Sequence, residues 1–361
     1  MLGNRPYTVV LIIPTGVGAA IGGYGGDAIP VARAMAQVAD CLITHPNVLN
    51  GAQLYWNLPN ALYVEGFGLD QFAAGQWGLR PVQQNALGLV LDQAIEPELR
   101  VRQLQAADAA RAALGLTLTD YVVTDAPLAV SLNTAPSGAT WGTLQRADSL
   151  LRAVEKLIDQ AGATAIAVVA RFPDTPADSA DLQAYRYGQG VDPLAGAEAV
   201  ISHLVVRQFQ IPCAHAPALA PLPLDPHISP RSAAEELGYT FLPSVLVGLS
   251  RAPQLINSDA PQAGDIWADQ VDAVVLPATA WGGKAVMHLG QALGQRRAPP
   301  LMLAVEENTT RMRVPPGVIT PSAVTVRSYL EAIGALAAHK AGIDRGALNP
   351  VLTSLKQLED C

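Results

Sequence analysis

The chain has 361 residues, half of them apolar and only 15% charged, with a formal charge of −8. That length calls for one large α/β unit or two lobes rather than a single small core. The acidic balance, without any basic cluster interleaved with aromatics, argues against nucleic acid as a partner, and no run of about eighteen apolar residues predicts a membrane span.

Tyr7 to Ile13 is a nearly unbroken apolar run, the pattern of a strand covered on both faces of a parallel sheet. It enters the stretch Pro14 to Asp27, which holds six glycines: Gly16, Gly18, Gly22, Gly23, Gly25 and Gly26. Glycine is costly in backbone entropy, so this density predicts positive φ angles or close approach of the backbone to a ligand or to packed chain. Asp27 and Pro30 then open a helix to about Ala39, and a strand from Cys41 to Thr44 ends in His45-Pro46-Asn47.

Asn50 to Trp77 reads as an irregular excursion and Glu98 to Leu114 as a helix with Asp108 and Arg111 in pairing distance. A strand at Tyr121-Val122-Val123 ends in Thr124-Asp125. The spacing of Leu144, Ala147, Leu150, Leu151, Val154, Leu157 and Ile158 predicts a helix over 143–160. A strand from Ala163 to Ala170 runs into Arg171, and Asp192-Pro193 opens a further helix. Prolines recur between Ile211 and Pro230, so neither helix nor central strand is expected there. This is the crossover between an N-terminal lobe, 1–210, and a C-terminal lobe, 211–361, unless the whole chain is one unit.

A short helix stopped by Gly238 follows, then an apolar run at Val245-Leu246-Val247. The strand Asp272 to Leu276 ends in a turn carrying Thr279, Gly282, Gly283 and Lys284 and passes into a helix through Leu293. A strand from Leu301 to Val305 ends in Glu306-Glu307-Asn308, and two helices, 321–340 and 350–358, close the chain. The fold class is therefore α/β, with mostly parallel sheets flanked by helices. The large apolar share also leaves a homo-oligomer as one way to cover surface.

Several blocks resemble a family of uncharacterised proteins from cyanobacteria and plant plastids, catalogued as a domain of unknown function. They are Gly22 to Asp27, Thr44 to Asn47, Gly190 to Pro193 with Glu198 to His203, and Ile211 to Pro217. The resemblance covers nearly the full length and implies a cyanobacterial cytoplasm or chloroplast stroma, with no reaction and no site residues attached. Cytoplasmic location also follows from Cys41, Cys213 and Cys361, which are odd in number and form no CxxC pair, and from a start without the apolar core of a secretion signal.

Ligands of parallel sheets sit outside the carboxyl ends of the strands, so the polar residues there are the candidates. His45, Asp125, His215 and Glu306 are candidate catalytic groups, imidazole and carboxylate being the side chains that carry protons near neutral pH. Thr15, Gly16, Gly22, Gly23, Gly25, Gly26, Asn47, Arg171, Thr279, Gly282, Gly283, Lys284 and Asn308 are candidate ligand-binding groups. Free N–H groups at helix starts can hold phosphate or carboxylate, and Lys284 would add a cation. The first loop is neither a dinucleotide fingerprint, since Ile21 stands at the third glycine position, nor a Walker loop. No Gly-x-Ser-x-Gly elbow occurs. Cys213 and His215 would share a strand face, but no third metal ligand is near in sequence.

No cofactor is indicated. The expected function is an enzyme binding a small anionic metabolite and using acid/base or transferase chemistry. The alternative is a noncatalytic metabolite sensor or an assembly factor of the photosynthetic cell. Both require the separate strand ends to gather at one rim.

Overall fold

The structure, a computed structural model, describes residues 5–52, 54–175, 178–236, 240–291 and 299–355. The expected positions Gly238, Leu293 and Cys361 lie outside them.

The chain begins with β1 (Thr8–Leu11), α1 (Ile29–Ala36), β2 (Cys41–Thr44), α2 (Pro46–Leu49), β3 (Ala61–Tyr63) and α3 (Gly66–Ala73). It continues through β4 (Gly78–Arg80), β5 (Leu87–Leu91), α4 (Pro97–Leu114), β6 (Leu118–Val123) and the hairpin β7 (Val130–Thr134) and β8 (Thr140–Leu144). Then come α5 (Ala147–Ala161), β9 (Ala165–Arg171), α6 (Ala180–Arg186), α7 (Ala195–Phe209), β10 (Cys213–Ala218), α8 (Pro230–Glu236) and α9 (Leu242–Ser250). The last elements are β11 (Gln254–Ile256), β12 (Val271–Pro277), α10 (Lys284–Leu289), β13 (Leu301–Val305), β14 (Val324–Val326) and α11 (Tyr329–Lys340).

Two sheets, both wholly parallel, organise the α/β fold. The first has the order β14-β13-β12-β1-β2-β3 and the second β10-β9-β5-β6. The chain leaves the first sheet after β3, builds the second, and returns to the first at β12. The expected boundary at 210/211 therefore falls inside the second sheet, between β9 and β10.

Five layers follow from which faces are apolar. Val9, Leu11, Leu42, Val275 and Leu303 turn outward from the first sheet against α1 and α11. Leu89, Leu91, Ala167, Val169 and Ala214 turn outward from the second sheet, with α4 and α9 against them. Between the sheets, Val10, Ile43 and Val274 from one and Val90, Val168 and Cys213 from the other share a core with α3, α5, α7 and α10. Strands buried on both faces read as continuous apolar runs, which explains why most were visible in the sequence.

Three departures have local causes. Val245-Leu246-Val247 lies inside α9, which has Pro243 in its first turn and is buried against the second sheet and α4; a helix apolar on most sides gives no periodicity over three residues. The proline-rich span contains β10 because β10 is an edge strand, where Pro217 removes no essential ladder bond. The residues before α11 form edge strand β14, and the helix starts only at Tyr329, where Ser328 Oγ accepts the Glu331 N–H at 3.1 Å. Residues 351–355 of the expected final helix are not helical, and 356–358 lie outside the described residues.

The glycine loop after β1 is packed against its own chain. Gly16, Gly18, Gly22 and Gly26 hold positive φ, and a Cβ on Gly23 would run into the Ala19 carbonyl oxygen. At Gly22, φ is +87° and a Cβ would lie 2.6 Å from Ile13 Cγ2, so Gly22→Ala combines backbone strain with overpacking. We expect it to cost about 2 kcal/mol, read as a shift in the urea midpoint; an unchanged midpoint would show that the loop yields freely.

Candidate functional site

A cavity of about 620 Å³ lies where the carboxyl ends of β1, β2 and β3 meet edge strand β10 and the amino-terminal half of α7. Thr15, His45, Asn47 and Glu65 reach it from the first sheet; Glu198, Ser202 and His203 reach it from α7; His215 and Pro217 reach it from β10. Asp192, Tyr185 and Glu235 close the floor, and apolar side chains from 219–224 form one wall.

Strand alternation sends Ala214, Ala216 and Ala218 into the outer core and leaves Cys213, His215 and Pro217 on the inner side. Glu198 and Ser202 stand one helical turn apart on α7, facing that edge. Ser202 Oγ shares a hydrogen bond with His215 Nδ1 at 3.1 Å, and Glu198 Oε2 lies 3.7 Å from His215 Nε2. The His215 and Glu198 side chains are 15% and 16% exposed, so both are shielded from bulk solvent yet open to the cavity. Ser202 thus orients the ring through Nδ1, while Nε2 faces Glu198 at a distance longer than a hydrogen bond and is open to a molecule in the cavity.

The floor is rich in carboxyl groups. Glu235 Oε1 accepts the Gly25 N–H at 2.7 Å and is hydrogen-bonded to Tyr185 as well. Asp192 Oδ1 accepts the Leu194 N–H at 2.8 Å. Burial raises the pKa of both acids; the Glu198 charge raises Asp192 further, and the charges of Asp192 and Glu198 raise Glu235 further. His45 is the opposite case: burial pushes its imidazole down to about 4, and Nε2 accepts the Ile13 N–H at 3.0 Å, so it is neutral with its proton on Nδ1. Burial also opposes charge on His203, but the hydrogen bond and charge of Glu65, aided by Asp70, outweigh it and raise the pKa. Glu65 is fixed in turn by the Phe67 and Gly68 N–H groups at the start of α3.

The expected rim forms in part. Thr15, Gly25, His45, Asn47 and His215 line this cavity. Asn47 also ties the loop down, its Nδ2 donating to the Ile13 and Gly22 carbonyls. Gly16, Gly22, Gly23 and Gly26 stand behind the wall as backbone; Gly23 O accepts from the Tyr185 hydroxyl at 3.1 Å. Arg171 lies beside the lining residue Asp174 but is forked between Asp174 and Glu96.

Asp125, Thr279, Gly282, Gly283, Lys284, Glu306 and Asn308 lie outside the lining. Asp125 is exposed, and the hydrogen bonds from Arg152 and Ser149 hold its carboxyl down at about 2, which makes it a weak base. Thr279 Oγ1 is hydrogen-bonded to Thr310 Oγ1, and Glu306 is exposed past the end of β13. Asn308 is buried between Ile21 and Tyr329.

The N–H groups proposed for anion binding have protein partners. Gly22 and Tyr24 donate to Asp27, Ile21 donates to Asn308 and Gly25 donates to Glu235. At the start of α10, Ala285 donates to Asp70 beside exposed Lys284. Cys213 is buried, which pushes its thiol up and out of nucleophilic range. Among the described residues no group of three or more His, Cys, Asp or Glu is arranged to hold a metal.

The lining residues Glu198, Ser202, Asp192, Glu235 and Tyr185 are not among the site candidates named from the sequence. A signal existed for the first two: they are polar residues at helical spacing beside the apolar stripe Ala197, Ile201, Val205. Glu235 carried no local signal, because its partner Gly25 is 210 residues away.

The DUF3326 family model, described as "Protein of unknown function", matches residues 8–349. An uncharacterized lipoprotein of Synechococcus sp. is 59% identical over 350 residues, covering 97% of this chain and 95% of the relative. No solved structure matches. The expected cytoplasmic location is corrected by this relative: its name makes it a lipoprotein, so similarity at this level no longer supports a cytoplasmic or stromal assignment. Among the described residues no helix is long and apolar enough to cross a membrane.

Proposed function

We propose that this chain, which belongs to the DUF3326 family, binds a small molecule bearing hydrogen-bond donors in the cavity between its sheets and moves a proton on it with His215. The observation that carries the reading is the placement of His215 between Ser202 and Glu198 at the edge of a carboxyl-rich cavity. Charge decides the ligand class. Glu65, Asp174, Asp192, Glu198, Asp225, Glu235 and Glu236 all line the cavity; Glu65, Asp174 and Glu236 are paired with His203, Arg171 and Arg186, and Asp192, Glu198, Asp225 and Glu235 make up the remaining surplus of carboxyl groups. A like charge about 4 Å from a carboxylate costs on the order of 4 kcal/mol at an effective dielectric of about 20. A phosphate or carboxylate ligand would meet that opposition, while an ammonium or a set of hydroxyls would be matched. The anionic metabolite expected from the glycine loops is therefore replaced, in this reading, by an amine or polyol.

Thermal-shift measurements on the full chain should show stabilisation by amines or polyols and none by phosphorylated or carboxylated metabolites. With a stabilising compound in hand, incubation in heavy water should place solvent deuterium at a carbon-bound position of it, and His215→Gln should abolish that incorporation while retaining binding. Stabilisation by anions alone would overturn the ligand class. Binding without any such incorporation would replace catalysis by the sensor role.

A further inference from the structure

One part of the cavity lining is a proline-rich strap, residues 219–225, whose side chains are apolar except Asp225. Leu219, Leu222 and Leu224 of the strap line the cavity together with Leu182 and Phe241. Leu224 is 95% exposed although it belongs to this lining, so it stands at the mouth with almost no protein against it. One exposed leucine is ordinary, but here Leu224 is joined in the lining by half-buried Leu219 and Leu222 from the same strap, which makes the strap the apolar part of the cavity.

The strap is held in place by its polar edge. The Ala220 N–H bonds Asp174, the Pro223 carbonyl accepts from Arg186 Nη2 at 2.8 Å, and Asp225 Oδ2 accepts from the Tyr187 hydroxyl at 2.7 Å. Pro221, Pro223 and Pro226 restrict the backbone between these ties. The strap is thus a preorganised wall, and ordering it costs a ligand little.

We propose that the ligand is a single-chain amphiphile whose donor-bearing head lies against the carboxyl floor and His215, and whose hydrocarbon runs along Leu219, Leu222 and Leu224 to the mouth. The inference rests on the head-group reading above and adds the nature of the tail. A wholly polar ligand would leave these leucines wet in the complex; a hydrocarbon would bury them and leave the polar head where acceptors concentrate.

The test is calorimetric titration of the full chain with 1-aminobutane and 1-aminooctane below micelle-forming concentrations. Affinity should rise about fourfold for each of the first added methylenes. Leu224→Ser, a change at an exposed position that leaves folding intact, should weaken octylamine several-fold and leave butylamine unchanged, and Leu222→Ser should do the same. Equal affinity for the two amines, or a chain-length gain untouched by both leucine changes, would overturn the inference. Butylamine binding that is weakened by Glu198→Gln yet independent of chain length would sink the tail alone and leave the head-group reading standing. Failure of both amines to bind would overturn the inference and the cationic form of the head group, leaving the polyol form to the thermal-shift screen.

Discussion

Replacing Arg186 by glutamine is expected to lower the free energy of unfolding by about 3 kcal/mol, the lower end of what breaking a buried ion pair costs. The Arg186 side chain is 4% exposed, and its guanidinium meets both oxygens of Glu236 at 2.8 and 3.0 Å while donating to the Pro223 carbonyl. Removal of the cation strands the Glu236 carboxylate, which is 22% exposed and so only partly rescued by water, and leaves a backbone acceptor unfilled. Arg186→Lys keeps the charge but loses the planar fork and should fall between the two. Arg186→Met combined with Glu236→Leu should recover much of the loss, because no charge is then left unpaired. Urea denaturation would read all three. A loss under about 1 kcal/mol for the glutamine variant would mean that solvent reaches the pair more freely than its burial implies. The same contact ties α6, α8 and the strap together, so the variant should also loosen octylamine binding.

What the sequence discloses follows from the range of the interactions. Strands β1, β2, β9, β12 and β13 appear as apolar runs because each is covered on both faces, so their parallel class was readable residue by residue, whereas β5, equally buried, was not singled out. That in turn placed Thr15, His45, Asn47 and His215 at strand ends or an edge, and the structure does bring these four to one cavity. Their neighbours were hidden. Glu235 finds Gly25, Arg231 finds Asp27 and Asn308 finds Ile21 across more than 200 residues, and nothing in a local window announces such a partner. The same blindness explains the anion reading. Glycine loops at helix starts look like empty cradles until Asp27, Asn308, Glu235 and Asp70 are seen to fill them. Asp125 and Lys284 shared the strand-end logic but belong to strand ends that the cavity does not reach.

The unliganded protein should lose stability as pH rises above about 6.5, the reverse of the behaviour that surface ion pairs give. Asp192 and Glu235 have folded-state pKa values raised by burial and by neighbouring carboxylates, Glu198 acting on both and Asp192 on Glu235, so between the ordinary carboxylate range and those raised values the folded state binds more protons than the unfolded chain. Stability therefore falls with rising pH throughout that window. His45 has the opposite sign: burial lowers its folded pKa to about 4, so its contribution is present above the ordinary histidine value of about 6.5 and is lost as pH falls through the interval below. The two effects oppose each other between about 4 and 6.5; above that the acids act together with His203, whose pKa Glu65 and Asp70 raise and whose contribution is likewise lost as pH rises. The lowered carboxyls of Asp125 and Asp148 matter only in stronger acid. Melting temperature should accordingly decline from pH 6.5 to 8.5 in the parent protein, and Glu235→Gln should flatten the decline and stabilise the protein at the alkaline end, because the amide never has to ionise. An amine seated on the floor should do likewise by supplying the missing positive charge, whereas sodium phosphate should not. A melting temperature that climbs with pH over this range, in parent and variant alike, would show that the floor acids are ionised without penalty and would remove the electrostatic case for a cationic head.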